Sequence, residues 1–466
     1  MGKYEKTGGE GVTERTRSGT TGTETGAVAE TVGDVRLSLT QKGTVKQTIS
    51  NCVVALRMDE KTRDMFRYNM LTDKIEVYGA WWNRSDVSIS QTDENNIRMY
   101  LENTYDLTSE KGVTRAIDIL AHQNEYHPIR DYLNSLKWDG VTRIGELFPR
   151  YLGSVRSDYT TEATRLFLLG AIERVFHPGI KFDTMICLVE DLQGGGKSSM
   201  ARFLAIRDEW FSDDIRNLDD ENVYRKLQGH WIIEFSEMLA TSSTKTVEAI
   251  KSFLSRQKDV YKIPYDRYPH DIPRQCVFIG TTNNIDFLPK DRTGNRRFIP
   301  IAINSEAAER HPLENERETR EYVIQCYAEA MEIYRGGNYK LKLSDEMMGE
   351  LEAVQEAFKP EDPKVGIIQN WLDKCDYDTV CSQMIFKEAF PENYYREPQR
   401  WELSEISSIM NKCINGWERY PTSDHQKRFA KYGKQRAWSK SVHGKMSSDG
   451  FVNVDEQAEQ IGLQFK

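Results

Sequence analysis

The feature that most constrains the fold is a glycine-rich turn between a predicted strand and a predicted helix. The apolar run at residues 185–189 is typical of a buried strand, and the amphipathic run at 200–204 is typical of a helix. Three consecutive glycines, a lysine and two serines fill positions 194–199 between them. Backbone N–H groups of such a turn, and of the helix that follows it, point at anionic oxygens. This order of elements therefore predicts a phosphate-binding loop in an α/β protein.

The residues of this loop have definable chemical roles. Lys197 is expected to reach the β- and γ-phosphates of a nucleotide, and the hydroxyl of Ser198 is expected to bind Mg²⁺. Asp191 occupies the position of the first glycine in the usual P-loop pattern, and a flexible turn beside a surface lysine is the alternative interpretation. The residues predicted to bind the nucleotide are Gln193, Gly194, Gly195, Gly196, Lys197, Ser198 and Ser199.

Three more apolar runs predict further strands of the same sheet. They occupy residues 231–235, 275–280 and 298–301, with helical segments between them. Strands and helices that alternate after a phosphate-binding loop predict a parallel sheet, whose ligands bind at the carboxyl ends of its strands. We assign residues 158–305 to this P-loop ATPase core and residues 306–362 to a helical lid or linker.

Polar residues at the ends of two of these strands are candidates for hydrolytic chemistry. ATP hydrolysis needs an acid near Mg²⁺, a group that orients the attacking water and a sensor of the γ-phosphate. Glu234 can face Mg²⁺ together with Ser198, and Glu237 can activate water, although their spacing does not decide which acid has which role. Asn283 follows the next strand and can hydrogen-bond both the water and the phosphate, unless it only forms an Asn-Asn turn.

Arg296 and Arg297 immediately precede the last predicted strand. Guanidinium groups bind phosphate oxygens bidentately, so both arginines are candidates for the positive charge that hydrolysis needs. A surface salt bridge is the alternative. If the subunits form a ring, one of these arginines can reach the nucleotide of a neighbour.

Composition limits the remaining classes of function. The 466 residues carry a net charge of -9, with 38% hydrophobic and 29% charged residues, which indicates a mostly ordered soluble protein of several domains. No apolar run approaches the roughly 20 residues of a membrane helix, so we expect no membrane partner. The seven cysteines form no CxxC pair, and their odd number fits a reducing cytoplasm. The negative charge means that any DNA contact must come from local patches.

The two ends of the chain differ in composition from its middle. Residues 1–33 contain no Leu, Ile, Phe or Trp, and we predict a disordered tail over residues 1–40. Residues 41–157 show helical periodicity and predict a mostly helical N-terminal module. Prolines 360 and 363 mark a linker, and residues 363–466 predict a small helical domain, with a winged helix as one form of it.

The motifs together resemble a known family. The segments 193–198, 231–237, 261–267, 280–283 and 293–298, with 127–133 and 137–140 before them, are similar to the virulence-associated protein E family of phages and mobile bacterial islands. The ATPase core of that family resembles superfamily 3 helicases of the AAA+ class. The resemblance is strong over about residues 120–305. Residues 34–150 offer no convincing Asp-x-Asp pair with a partnering His, so no primase activity is expected.

This resemblance implies an ATP-dependent DNA helicase or replication-initiator motor in the cytoplasm of a bacterial host. It implies ATP and Mg²⁺ as cofactors, single-stranded or forked DNA as partner, a ring that is a homo-hexamer, and contacts with other replication proteins. The alternative is a nucleotide-gated DNA-binding ATPase with a regulatory or defence role that does not unwind DNA.

The segment 258–267, between the acidic strand and the sensor strand, is the first predicted DNA contact. In superfamily 3 helicases a hairpin at this location enters the ring and grips one strand. Lys262 and Arg267 are therefore expected to meet phosphates, and Tyr261 or Tyr265 to stack on bases. An ordinary surface hairpin is the alternative.

The segment 416–445 is the second predicted DNA contact. It holds eight Lys and Arg residues against two acids, with aromatic residues interleaved. Basic residues track the DNA backbone and aromatic residues stack on bases, so we select Lys431, Lys434 and Arg436 as contacts. Trp417 and Trp438 have an alternative role as the core of a small domain.

Overall fold

The protein has a mixed α/β architecture with a parallel sheet, as the sequence predicts. The computed structural model describes residues 29–32, 35–215, 218, 223–237, 244–261, 270–288, 295–360 and 362–441. Its contacts divide the chain into two compact units, Met1–Pro128 and Ile129–Lys466. Among the described residues, no helix combines the length and the apolar character that crossing a membrane requires.

The first unit packs three helices against short strands. The helices are α1 (Ile49–Met58), α2 (Gln91–Tyr105) and α3 (Glu110–Gln123). Strand β3 (Phe66–Asn69) pairs antiparallel with β4 (Lys74–Val77) and parallel with β5 (Glu125–Tyr126). Cys52, Ala55 and Leu56 of α1 are fully buried, which is the helical face that their spacing indicates. The module that we predict as mostly helical thus also contains a small sheet.

The predicted disordered tail is wrong over residues 29–32 and 35–40. Strands β1 (Ala29–Val32) and β2 (Val35–Ser38) form an antiparallel hairpin. Val35 and Leu37 are buried and alternate with exposed Arg36 and Ser38, because successive side chains of a strand point to opposite faces. Residues 1–28 of the predicted tail lie outside the described residues.

Asp93, near the start of α2, is a buried carboxylate that accepts several hydrogen bonds. Its carboxylate accepts hydrogen bonds from Trp82 Nε1 at 2.7 Å, from Arg84 Nε at 2.8 Å and from the backbone N–H of Ser90 at 2.7 Å. Burial alone would raise the pKa of Asp93, but the hydrogen bonds from Arg84, Trp82 and Ser90 outweigh it and lower the pKa to about 2.

We expect Asp93→Asn to destabilise the first unit by about 2–4 kcal/mol, because Arg84 then stays buried without its counter-charge. In the wild type, this carboxylate stabilises the fold fully above its ordinary pKa near 4 and loses that effect as the pH falls through about 2. Hydrogen exchange of the α2 amides measures the change, and Asp64→Asn at an exposed ion pair is the matched control. Equal protection in the two variants would contradict the prediction.

The second unit is built on five parallel strands. These are β6 (Met185–Val189), β7 (Phe211–Ser212), β8 (Ile232–Ser236), β11 (Val277–Thr282) and β12 (Phe298–Ala302), in the spatial order β12-β6-β11-β8-β7. Every residue of β6 and β11 is buried, since helices cover both faces of such a sheet. This burial explains the apolar character of β6 and of the first part of β11, which ends in the buried Thr281 and Thr282.

Helices surround this sheet. They are α4 (Pro128–Ser135), α5 (Leu147–Leu152), α6 (Asp158–Phe176), α7 (Lys197–Leu204), α8 (Val223–Leu227), α9 (Thr244–Leu254), α10 (Glu316–Gly336) and α11 (Asp345–Ala357). The contacts place the first boundary between units earlier than the predicted residue 157. The backbone N–H groups of Arg143 and Ile144 donate to the Glu329 carboxylate of α10, and Asn304 N–H donates to the Leu152 carbonyl. Residues 129–157 therefore pack with the sheet.

A β-hairpin joins α9 to β11. Strands β9 (Lys258–Tyr261) and β10 (His270–Pro273) pair antiparallel. At its base, the guanidinium of Arg274 donates two hydrogen bonds to the Asp259 carboxylate, at 2.7 and 2.9 Å, and both side chains are buried. The guanidinium also donates to the Phe253 carbonyl of α9. The hairpin thus has a fixed base.

The C-terminal part of the second unit combines three helices with an antiparallel sheet. The elements are α12 (Pro363–Lys374), β13 (Thr379–Cys381), α13 (Ser382–Glu388), α14 (Arg400–Lys412), β14 (Trp417–Arg419), β15 (Gln426–Phe429) and β16 (Gly433–Lys440). Strand β16 pairs with β13, β14 and β15. Trp417 and Trp438 are buried in its core, in agreement with the core alternative for both.

Candidate functional site

The glycine loop, residues 190–196, connects the carboxyl end of β6 to the start of α7. A Cβ atom on Gly195 would lie 2.0 Å from Glu190 Oε2, so a side chain there would displace the Glu190 carboxylate. Gly196 has φ of +85°, and a Cβ atom on it would lie 2.7 Å from Pro312 Cδ. Left-handed backbone and close approach both require glycine at position 196. Exposed Asp191, the departure from the usual pattern, lies outside these close contacts.

The ammonium of Lys197 lies inside this loop. Lys197 is the first residue of α7 and is buried. Its Nζ donates to the Leu192 carbonyl at 2.9 Å and to Glu190 Oε2 at 3.2 Å. The other oxygen of Glu190 accepts from Ser305 N–H at 2.7 Å. A buried carboxylate thus compensates the lysine charge, and the acid directly after β6 is the sequence signal that we missed.

Glu234 and Glu237 have different surroundings, which their spacing in the sequence does not reveal. Glu234 is 1% exposed, and its Oε1 accepts from Ser198 Oγ at 2.6 Å and from Thr281 Oγ1. Glu237 is exposed, has a φ of +48° and donates its backbone N–H to the Thr281 carbonyl at 3.0 Å. The β8–β11 pairing brings both acids beside the glycine loop. Glu234 therefore lies on the buried side of Ser198, and Glu237 lies on the solvent-exposed side of the glycine loop.

Asn283 completes this group of polar side chains. Its Nδ2 donates to Glu237 Oε1 at 3.3 Å. Its Oδ1 is buried and has no hydrogen-bond partner in the part of the chain that the structure describes. Buried polar atoms are nearly always paired, so this oxygen marks a place for a donor such as a water molecule or a ligand group.

These residues surround a cavity of about 340 Å³. The size is that of a small-ligand site. The structure therefore brings the predicted loop residues, Glu237 and Asn283 together around this cavity. Glu234 does not line the cavity but accepts a hydrogen bond from Ser198 of the loop. The sequence gives no motif for His311 and Leu313, which reach the cavity from the segment after β12. The lining residues are Gln193, Gly194, Gly195, Gly196, Lys197, Ser198, Ser199, Ser236, Glu237, Thr281, Thr282, Asn283, His311 and Leu313.

The structure does not bring Arg296 and Arg297 to this cavity. Arg297 Nε lies 3.2 Å from Asp183 Oδ2 and donates to Ser255 Oγ at 3.0 Å. Asp183 precedes β6 and Arg297 precedes β12, so this ion pair lies at the amino end of the parallel strands. The glycine loop lies at the opposite, carboxyl end. The side chain of Arg296 is exposed at the same amino end.

The predicted DNA contacts have separate locations. Lys262, Tyr265 and Arg267 lie outside the described residues. Lys431, Lys434 and Arg436 are exposed on the β15–β16 hairpin. Residues 426–440, which span this hairpin, contain six Lys and Arg residues and no Asp or Glu. This basic hairpin is therefore a strongly positive surface on a negatively charged chain.

Comparisons with known proteins show which family and which solved structures this chain is similar to. Residues 133–360 match the family model of the virulence-associated protein E-like domain, which confirms the resemblance predicted from the motifs. The apo A form of the NrS-1 C-terminal region is similar to this chain with a TM-score of 0.44 and 14% identity, over 81% of this chain and 96% of that chain. Another apo structure of that region has a TM-score of 0.40 and 15% identity, over 74% and 82%. No curated protein matches the chain.

Proposed function

We propose that this chain, whose residues 133–360 match the model of the virulence-associated protein E-like domain, is a P-loop ATPase of the AAA+ type that acts on DNA. Its role is that of a helicase or replication-initiator motor of a phage or mobile genetic element. The observation that carries the proposal is the meeting of Lys197, the Ser198–Glu234 pair and the Glu237–Asn283 pair at one cavity. ATP hydrolysis needs a group that binds phosphate, ligands for a metal ion and a group that activates water, and these three must lie close together.

The glycine loop supplies the phosphate site. Backbone N–H groups of residues 194–198 and the positive end of α7 face anionic oxygens, and Lys197 exchanges its bond with Glu190 for one with a phosphate. Ser198 Oγ and Glu234 are oxygen ligands of the kind that Mg²⁺ uses together with phosphates and water. Bound Mg²⁺ would neutralise charge that develops on the phosphate oxygens.

The open side of the cavity supplies the hydrolytic step. Glu237 takes a proton from the attacking water while Asn283 Oδ1 accepts that water's other hydrogen. The water oxygen bonds to the γ-phosphorus, the bond to the bridging oxygen breaks, and ADP leaves with the electron pair. The exposure of Glu237 suits this role better than the buried position of Glu234 does.

Arg296 is proposed to act on the nucleotide of a neighbouring subunit in a ring, which we take as a homo-hexamer. Within one chain it lies at the end of the sheet opposite the glycine loop, so it cannot serve its own cavity. Arg297 instead has a structural partner in Asp183. A positive charge from a neighbour completes the site when subunits assemble.

Mixing Arg296→Ala with Lys197→Ala protein is expected to restore part of the turnover that each variant lacks alone. In rings assembled at random from equal amounts of the two variants, about a quarter of the interfaces place an intact glycine loop opposite an intact Arg296. Steady-state phosphate release measures the recovery, after co-assembly has been demonstrated by light scattering. Absence of recovery in mixed rings would show that Arg296 does not act across the boundary.

DNA binding is proposed for two surfaces. The C-terminal order helix, strand, helix, helix and three further strands is that of a winged helix, with the basic hairpin as its wing. The sequence segment 262–269 between β9 and β10, which contains Lys262, Tyr265 and Arg267, is the proposed contact inside the ring. Phosphate contacts of this kind make affinity fall steeply with salt.

Strand displacement on a forked duplex with ATP and Mg²⁺ tests the whole proposal. We expect unwinding by the wild type and none by Lys197→Ala at equal DNA occupancy. The triple substitution of Lys431, Lys434 and Arg436 by alanine is expected to reduce DNA affinity and its salt dependence while basal turnover stays. DNA-stimulated turnover without unwinding would favour a nucleotide-gated DNA-binding ATPase, and no turnover at all would refute both functions.

A further inference from the structure

The cavity at the glycine loop has two chemically different sides. Strand β6 lies between β11 and β12 in the sheet. On the β11 side, Glu237 and Asn283 contribute polar groups. On the β12 side, the segment 311–313 contributes the imidazole of His311 and the isobutyl group of Leu313. A nucleotide whose terminal phosphate lies at the polar side therefore has its nucleoside end at the β12 side.

The segment after β12 is attached to the glycine loop at successive points. Ile303 N–H donates to the Val189 carbonyl at 2.8 Å, and Ser305 N–H donates to Glu190 at 2.7 Å. His311 Nε2 lies 3.1 Å from the Gly194 carbonyl oxygen. Pro312 packs so closely on Gly196 that a Cβ atom there would overlap its ring. These contacts fix the segment at a set distance from the phosphate site.

The hydrogen bonds of His311 assign its tautomer. The N–H of Leu313 donates to Nδ1 at 3.2 Å, so Nδ1 accepts and the ring proton lies on Nε2. Nε2–H then donates to the Gly194 carbonyl. Both edges of the ring are occupied, which leaves the ring face for stacking. Leu313 is 52% exposed beside it, although a leucine side chain gains by leaving water.

We infer that His311 and Leu313 form the wall on which the base of a bound purine nucleoside triphosphate lies. A purine stacks on the imidazole face and covers the isobutyl group, and its larger ring buries more apolar surface than a pyrimidine does. This inference rests on the proposed function and names the part of the nucleotide that the β12 side holds. Because the segment 311–313 is hydrogen-bonded to the glycine loop, the base and the phosphates of the nucleotide would be bound by two connected segments.

Binding of ATP, CTP and inorganic triphosphate to the full chain with Mg²⁺ tests the inference. We expect the wild type to bind ATP more tightly than CTP or inorganic triphosphate. Leu313→Ala should weaken ATP binding about tenfold and leave the affinity for inorganic triphosphate unchanged. Its KM for ATP should rise while kcat stays, because the base contact is equal in ground and transition states. Val141→Ala, at an equally exposed apolar residue away from the cavity, is the matched control.

Each other outcome has a distinct meaning. Equal losses for ATP and inorganic triphosphate in Leu313→Ala would show that Leu313 only supports the loop, and unchanged ATP binding would place the base elsewhere. Either result overturns the inference while the proposed function stands. A wild-type chain that binds neither ATP nor inorganic triphosphate refutes the proposed function, and the inference falls with it.

Discussion

Lys197→Ala is expected to lower ATP turnover by roughly a thousandfold, the scale of removing a charged group that stabilises a transition state. In the structure, this ammonium lies inside the glycine loop and contacts Glu190 and the Leu192 carbonyl. Its loss leaves a buried carboxylate facing the incoming phosphates, so binding and chemistry both suffer. Phosphate release under saturating ATP measures turnover, and circular dichroism reports the fold.

The control for Lys197→Ala uses the partner of the lysine. A Lys197→Ala, Glu190→Gln double variant removes the leftover negative charge as well as the cation. We expect it to recover the thermal stability that Lys197→Ala loses, because no buried charge remains unpaired, but not the turnover. Full turnover in the double variant would mean that Lys197 only neutralises Glu190 and takes no part in phosphate chemistry.

Glu237→Gln is expected to reduce turnover by about 10²–10⁴-fold, the range of general-base catalysis, and to change ATP affinity by only a few-fold. The reason is that its carboxylate is exposed and contacts the Asn283 amide, whereas the proposed phosphate contacts lie in the glycine loop. Titration of a fluorescent ATP analogue beside a single-turnover assay separates binding from chemistry. The variant should therefore hold ATP without hydrolysing it.

Glu234→Gln provides the contrast to Glu237→Gln. Its carboxylate accepts from Ser198 and Thr281, so the change should raise the Mg²⁺ concentration needed for half-maximal turnover. If Glu237→Gln raised the Mg²⁺ requirement and Glu234→Gln did not, the two acids would have the opposite roles.

The sequence predicts the sheet and the glycine loop because both follow from local patterns. A buried parallel strand such as β6 is a continuous apolar run, and the left-handed backbone and close contacts at position 196 favour glycine. The different positions of Glu234 and Glu237 are not predictable in this way. Their surroundings depend on the left-handed turn at Glu237 and on the pairing of β8 with β11.

Interactions between distant segments account for the other differences. Arg297 is predicted as a catalytic candidate from its neighbours in sequence, yet its partner Asp183 comes from the segment just before a different strand, β6. His311 and Leu313 reach the cavity only because the chain after β12 folds back over the glycine loop. The hairpin of β1 and β2 is missed because the first 40 residues are judged by their average composition. That average hides the short alternation of apolar and polar residues in β2.

The buried base of the β9–β10 hairpin has a mechanical consequence. Arg274 joins Asp259 to the Phe253 carbonyl of α9, and its own carbonyl accepts from Gly179 N–H at 2.9 Å. Strand β11 begins three residues later, and its far end carries Asn283. Under the proposed function, a force that DNA exerts on the segment between β9 and β10 would be transmitted through this ion pair to α9 and to β11, the strand that Asn283 follows. Movement at the DNA contact and rearrangement around the γ-phosphate would then be coupled through a single buried ion pair.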